Sequence, residues 1–137
     1  MTPSRISDKE NGKLQTVILI VESEPAMRVG LRDNLEFNGY DVHVAADATQ
    51  AREILRRHTP TIVLLSNALP VSQAALISRL LKKNNQRPSV IVMESQEPNY
   101  SFFPGADDYL NIPCSITELA SRVNKYLGLQ KHTLCIG

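Results

Sequence analysis

Five positions could carry chemistry, because each stands where a short apolar run gives way to a polar loop: Glu22, Ser23, Ser66, Glu94 and Ile112. In an open parallel sheet the ligand crevice lies at the carboxyl ends of the strands, so these positions share one rim if the runs are parallel strands. Carboxylates gathered there would hold a divalent cation, and a hydroxyl beside a base would be a nucleophile. Ser66 has no histidine to serve as that base. His43 lies on a predicted strand and His58 ends a predicted helix; both read as surface residues with no acceptor or metal constellation around them. Cys114 and Cys135 are spaced neither as a metal knuckle nor as a redox pair, and two cysteines make no disulfide framework. The residues therefore spell out no enzyme and imply neither metal nor cofactor.

The elements that must position these residues are short and alternate in kind. Val17–Val21 is a continuous β-branched run and reads as a central parallel strand buried on both faces. Pro25 can open a helix carrying Met27, Leu31, Leu35 and Phe37, and Asn38-Gly39 stops it. A second strand spans Tyr40–Ala45, with Val42 and Val44 on one face. Asp47 or Thr49 caps the next helix, whose apolar stripe is Ala51, Ile54 and Leu55 and which Pro60 closes. The strand Thr61–Leu65 follows, then a helix from about Ser72 to Lys83 with Leu76, Ile77, Leu80 and Leu81 inward. Ser89–Met93 is the fourth strand and Asp108–Leu110 a short fifth. Ser115-Ile-Thr-Glu118 has capping-box spacing and starts a last helix on Leu119, Val123 and Leu127. Strand alternating with helix means right-handed crossovers and a parallel sheet covered on both faces.

The bulk numbers agree with one domain. The chain has 137 residues, 15 Lys plus Arg against 14 Asp plus Glu, and a net charge of +1. No long basic run marks a nucleic-acid surface, and Lys82, Lys83 and Arg87 are explained by a solvated helix end. The apolar runs are strand length, far short of a membrane span, and residues 1–15 are polar with no signal-peptide core. A reduced, cytoplasmic setting is expected.

From about Gln15 to Gly128 the chain resembles bacterial response-regulator receiver domains. Ile18-Leu-Ile-Val-Glu-Ser-Glu-Pro25 is similar to the acidic first loop of that family. Asn38-Gly-Tyr-Asp-Val42, Leu64-Leu-Ser-Asn-Ala-Leu-Pro70, Gly105-Ala-Asp-Asp-Tyr-Leu110 and Ile112-Pro113 follow in the family's order. The resemblance implies a flavodoxin-like α/β sandwich, doubly wound, with a five-stranded parallel sheet in the order 2-1-3-4-5. It also implies a phosphorylation site of paired acids, a phosphoacceptor aspartate, a Thr or Ser and a Lys.

Those positions hold Glu22 and Ser23, Ser66, Glu94, and Ile112 here. Phosphoryl transfer needs a divalent cation to gather carboxylate and phosphoryl oxygens, and Glu22 is the only carboxylate left of the three that would hold it. Glu94 would repel a phosphoryl group, and Ile112 removes the ammonium that pairs with it. Ser23 and Ser66 read as loop hydroxyls bonded to nearby backbone. Glu22 is either solvated or bonded to Ser66, and Glu94 has a capping or solvent role. Tyr109 matches the family's switch aromatic, with its rotamer set here by packing alone. Pro113 matches a proline that follows a cis bond.

Between Glu94 and Gly105 the family usually carries a longer segment with a helix. Pro98 and Pro104 limit any helix here to little more than one turn, leaving Tyr100, Phe102 and Phe103 to cover the sheet edge. In the transcriptional subfamily two receivers pair through the neighbouring surface, where Asp107, Asp108 and Arg122 match its charges. A weak homodimer through these charges or aromatics is one expectation; aromatics that simply fill the vacated space are the other. The domain divides into a flexible tail over 1–14, a receiver-like body over 15–128 and a linker over 129–137. Leu134 to Gly137 resembles the opening of a winged-helix effector, so DNA would be bound only by a further C-terminal domain. The leading function is a phosphorylation-independent regulatory domain acting by protein contact. The alternative is a stand-alone adaptor or small-ligand sensor.

Overall fold

Alternation along three strands buried on both faces through their middles builds the domain. The computed structural model describes residues 17–83, 87–95, 103 and 105–136. β1 (Val17–Val21), β2 (Asp41–Ala45), β3 (Ile62–Ser66), β4 (Ser89–Glu94) and β5 (Asp108–Asn111) form one parallel sheet in the order β2-β1-β3-β4-β5. Ile18, Ile20, Ile62, Leu64, Ile91 and Met93 point to one face, while Leu19, Val21, Val63, Leu65, Val90 and Val92 point to the other. Each set is buried by a helical layer, as the continuous apolar runs require.

On the first face lie α1 (Pro25–Phe37) and α4 (Ile116–Ile136), contributing Leu31, Leu35, Leu119 and Val123. The second face is covered by α2 (Ala48–Arg57) and α3 (Val71–Lys82), contributing Ala48, Ala51, Ala74, Ile77 and Leu81. The helix starts obey local chemistry. Glu24 caps α1 by accepting from Met27 N at 2.7 Å, with Pro25 in the first turn, and Asp47 caps α2 by accepting from Gln50 N at 2.9 Å. Ser115 Oγ accepts from Glu118 N at 3.0 Å, the capping contact expected of that tetrad. Gly39, at φ +95°, supplies the left-handed residue that ends α1.

Four expectations change. Phe37 is 91% exposed: it sits two residues past buried Leu35, which turns it off the apolar stripe. Leu76 and Leu80 are only half-buried, because Ala74, Ile77 and Leu81 take the inner positions of α3. Residues 129–136, expected as a linker, are helical through Ile136. No proline interrupts α4, and Gly128 in its interior costs only about 1 kcal/mol relative to alanine. The histidines are not separate surface residues. His43 and His58 stack with ring centroids 4.0 Å apart and planes 28° from parallel, joining β2 to the end of α2. Tyr100 and Phe102, with most of the segment between β4 and β5, lie outside the described residues.

Burial of His43 pushes its pKa below the ordinary histidine value, and the neighbouring His58 adds to that, against a pull upward from Asp41 and Glu36. The unfolded chain then binds the proton more readily than the folded one. Stability is complete above the ordinary histidine pKa and falls as pH drops from it toward the lowered folded value. Thermal unfolding followed between about pH 8 and about pH 5 should show this acid loss, and His43→Phe, which keeps a ring on His58, should flatten it.

Candidate functional site

The carboxyl ends of β1, β3, β4 and β5 bring the expected positions to one rim, where the side chains of Glu22 and Ser66 are tied to the main chain. Glu22 is only 3% exposed. Its N–H donates to Ala45 O at 2.9 Å, and its Oε2 accepts from Glu24 N at 3.0 Å, so the carboxylate is turned into its own loop. It is neither solvated nor bonded to Ser66, because the loop folds an amide of its own onto it. Ser23 is exposed. Arg28, one turn into α1, reaches back over this loop, with Nη1 donating to Glu22 O at 2.9 Å and to Ser23 O at 3.3 Å.

Ser66, 4% exposed, closes a tight turn at the end of β3, its Oγ accepting from Ala68 N at 3.1 Å. Asn67 is 8% exposed and stitches two strands, donating its N–H to Met93 O at 2.9 Å and accepting from Ser95 N at 3.3 Å through Oδ1. Glu94 is half-buried at the end of β4, and its carbonyl accepts from Ile112 N at 2.8 Å. Ile112 is 7% exposed, in the same core cluster as Leu31, Leu110 and Leu119, and the Ile112–Pro113 bond is cis.

Among the described residues this rim does not fit a divalent cation. Such an ion takes six or more oxygen ligands with carboxylates among them. Among the described residues no group of three or more His, Cys, Asp and Glu is placed to hold one. The carboxylate of Glu22 is engaged by an amide, and two carbonyl oxygens of the first loop already receive a guanidinium. Among the described residues the Ser66 hydroxyl bonds a main-chain amide.

On the neighbouring face the charges expected to join two copies pair within one chain. Asp107 Oδ2 accepts from Val90 N at 2.7 Å, fastening β5 to β4. Arg122 Nη1 lies 3.2 Å from Asp108 Oδ1 and donates to Tyr109 O at 2.9 Å, while its Nη2 lies 3.4 Å from Glu118 Oε2. Tyr126 donates its hydroxyl to Asp108 Oδ2 at 2.9 Å. Burial alone would raise the Asp108 carboxyl, but the Tyr109 N–H, the Tyr126 hydroxyl, Arg122 and Lys125 hold it below its usual range. Tyr109 stands 41% exposed on β5, and Phe103 is 6% exposed, in the core cluster with Ala74, Ile77 and Val92.

Sequence reasoning missed Arg28 and Asn67. An arginine in the first turn after an acidic loop was a usable signal for the one; for Asn67 the signal was an amide directly after a buried strand.

A doubly wound parallel sheet in the order β2-β1-β3-β4-β5, with an acid at the end of its first strand, is the architecture of a receiver module of two-component signalling. The chain belongs to the response regulator receiver domain family, whose model matches residues 18–124. It is 31% identical over 114 residues to the response regulator MprA of Mycobacterium sp. (strain KMS), covering 80% of this chain and 50% of that protein. With the MprA of Mycobacterium leprae the figures are 32% over 118 residues, 83% and 52%. The chain thus spans about half the length of these curated relatives. Among solved structures, a CheY-like receiver domain protein from Methanospirillum hungatei superposes with a TM-score of 0.73 at 23% identity, covering 87% of this chain and 98% of that one. The receiver domain of sensor histidine kinase PA1611 from Pseudomonas aeruginosa, solved with magnesium coordinated in its active-site cleft, gives 0.72 at 25% identity, with 83% and 98% covered.

Two measurements probe the rim. Magnesium at about 10 mM would add about 1.4 kcal/mol of stability to a site with a dissociation constant of about 1 mM; here it should leave the melting temperature unchanged. Arg28→Met keeps the apolar stem and removes both carbonyl contacts, and should cost about 1 kcal/mol in urea unfolding.

Proposed function

We propose that this domain is a receiver that regulates by protein contact and does not take part in phosphoryl transfer. The observation that carries the reading is the joint replacement at the rim. Ser66 stands at the acceptor position with its oxygen held by Ala68 N–H, and Ser23 replaces a cation-binding acid. Ile112 packs into the core where an ammonium would have to reach the phosphoryl group. Transfer of this kind is almost entirely positioning and charge stabilisation, and the groups that would supply them are gone. The reading makes the domain a signalling part and not an enzyme.

The relatives named MprA are about twice the length matched here, which supports a parent protein with a second, C-terminal domain. We place this chain in a cytoplasmic bacterial transcription regulator whose DNA-binding part is that winged-helix domain. Among the described residues no helix is long and apolar enough to cross a membrane. Partners meet the receiver through its surface. With Asp108 and Arg122 spent within the chain, a homodimer through β5 and α4 is weak and rests on apolar contact, since isolated surface ion pairs contribute only about 0 to 1 kcal/mol.

Incubation with acetyl phosphate and magnesium, followed by intact-mass measurement, should show no added phosphoryl group. A stable adduct mapped to Ser66 would overturn the reading. Ser66→Asp alone should not restore the reaction, because Ser23 and Ile112 remain. In sedimentation, Arg122→Ala should leave the mass distribution as it is; a shift toward monomer would show that its charge bridges two copies.

A further inference from the structure

We propose that the exposed cations of α2 and α3 form a face that holds the phosphate backbone of duplex nucleic acid without reading its sequence. Charge is sorted along this chain although its net value is only +1. Residues 46–88 carry seven Lys and Arg against two acids, while residues 17–45 and 89–127 each carry two against five. No run in the sequence shows this, because the cations are split between two helices.

The fold brings them together. α2 and α3 lie side by side on one core layer, through Ala51, Ile54 and Leu55 of one and Ile77 and Leu81 of the other. The strands that follow the two helices start at the same edge of the sheet, where Ser89 N donates to Thr61 O at 3.1 Å. Arg52, Arg56 and Arg57 of α2 are exposed, as are Arg79 and Lys82 of α3 and Lys83 at its end.

Their lack of partners separates these cations from the others. Arg28 is bound to two carbonyls, Arg32 pairs with Asp33 at 3.2 Å, Arg122 with Asp108 and Glu118, and Lys125 lies 4.0 Å from Asp108. Among the described residues, of the cations on α2 and α3 only Arg56 pairs, with Glu53 at 3.7 Å. Among the described residues Arg52, Arg57, Arg79, Lys82 and Lys83 have no carboxylate within salt-bridge distance. Each helix C-terminus carries about half a negative charge, which a single cation offsets, so several charges remain.

The chemistry of the face selects the partner. A protein interface needs buried apolar or aromatic anchors, and a membrane-bound helix needs an apolar side to insert. The large apolar residues exposed among the described residues are Val29, Phe37, Val71, Tyr109 and Ile116, and none lies on α2 or in the cationic half of α3. Phosphate contacts need no such anchor and are made by Arg and Lys side chains.

The test is fluorescence anisotropy of the full chain with a labelled mixed-sequence DNA duplex of about 20 base pairs. With three to five phosphates neutralised, log affinity should fall with log salt at a slope of about −3 to −4.5, a loss of tens to several hundred-fold between about 50 and about 200 mM salt. Arg57→Gln with Lys82→Gln should make the slope shallower by about 2. Arg32→Gln with Lys125→Gln, on the acidic side, should leave it unchanged. No binding at the lower salt, or equal losses in both double variants, overturns the proposal. So does binding of poly-L-glutamate as tight as that of the duplex and lost in the same variant, which would make this a docking face for an acidic protein.

Discussion

A residue in the middle of β1, β3 or β4 has nowhere polar to point. Both sides of these strands face helices, so every side chain joins one core or the other, and the register between strands cannot slip without exchanging the two sets. That requirement places the rim. Val21 pairs with Leu65, Ser66 with Met93 and Glu94 with Asn111, so the first polar residue after each buried run comes out at one end of the sheet. The location of the crevice therefore follows from hydrophobic burial and owes nothing to the chemistry carried out there. A site of this kind can lose its reactive groups while the scaffold beneath it persists.

What holds the polar atoms of this rim is main-chain hydrogen bonding. Buried polar atoms must find partners, and at this rim they find them locally: Glu22 at the amide of Glu24, Ser66 at that of Ala68, Asn67 at that of Ser95. Arg28 brings a positive charge to the first loop from within the protein. Among the described residues these contacts tie the rim to its own main chain. The face of β5 and α4 shows the same habit, with Asp107, Asp108 and Arg122 each consumed inside one chain.

The fold was legible because two-sided burial writes itself as continuous runs such as Val17–Val21, and because caps such as Asp47 and Ser115 are local. The positions of Glu22, Ser66, Glu94 and Ile112 were legible for the same reason, as was the cis bond before Pro113 through the family resemblance. Contacts that join distant segments were not. Nothing in the chain brings His43 to His58, and no local rule tells whether Arg122 faces its own Asp108 or a neighbour's. Phe37 was misplaced because its apolar character was counted before its angle around the helix. The sorting of charge between α2–α3 and the rest of the molecule emerges only when two helices far apart in sequence lie side by side.

The burial of Ile112 makes single substitutions toward the family's charged pattern costly. A lysine returned to that place first would put an ammonium among Leu31, Leu110 and Leu119, with no carboxylate restored to meet it. An aspartate returned first at Ser66 would bring a charge to a position 4% exposed, with neither cation nor lysine opposite. An unpaired charge drawn out of water costs several kcal/mol, a large share of the roughly 5 to 15 that hold a domain folded. Each single step back crosses a destabilised intermediate, whereas further change on the surface does not. Substitution on the exposed surface is therefore cheaper for this fold than substitution at its rim.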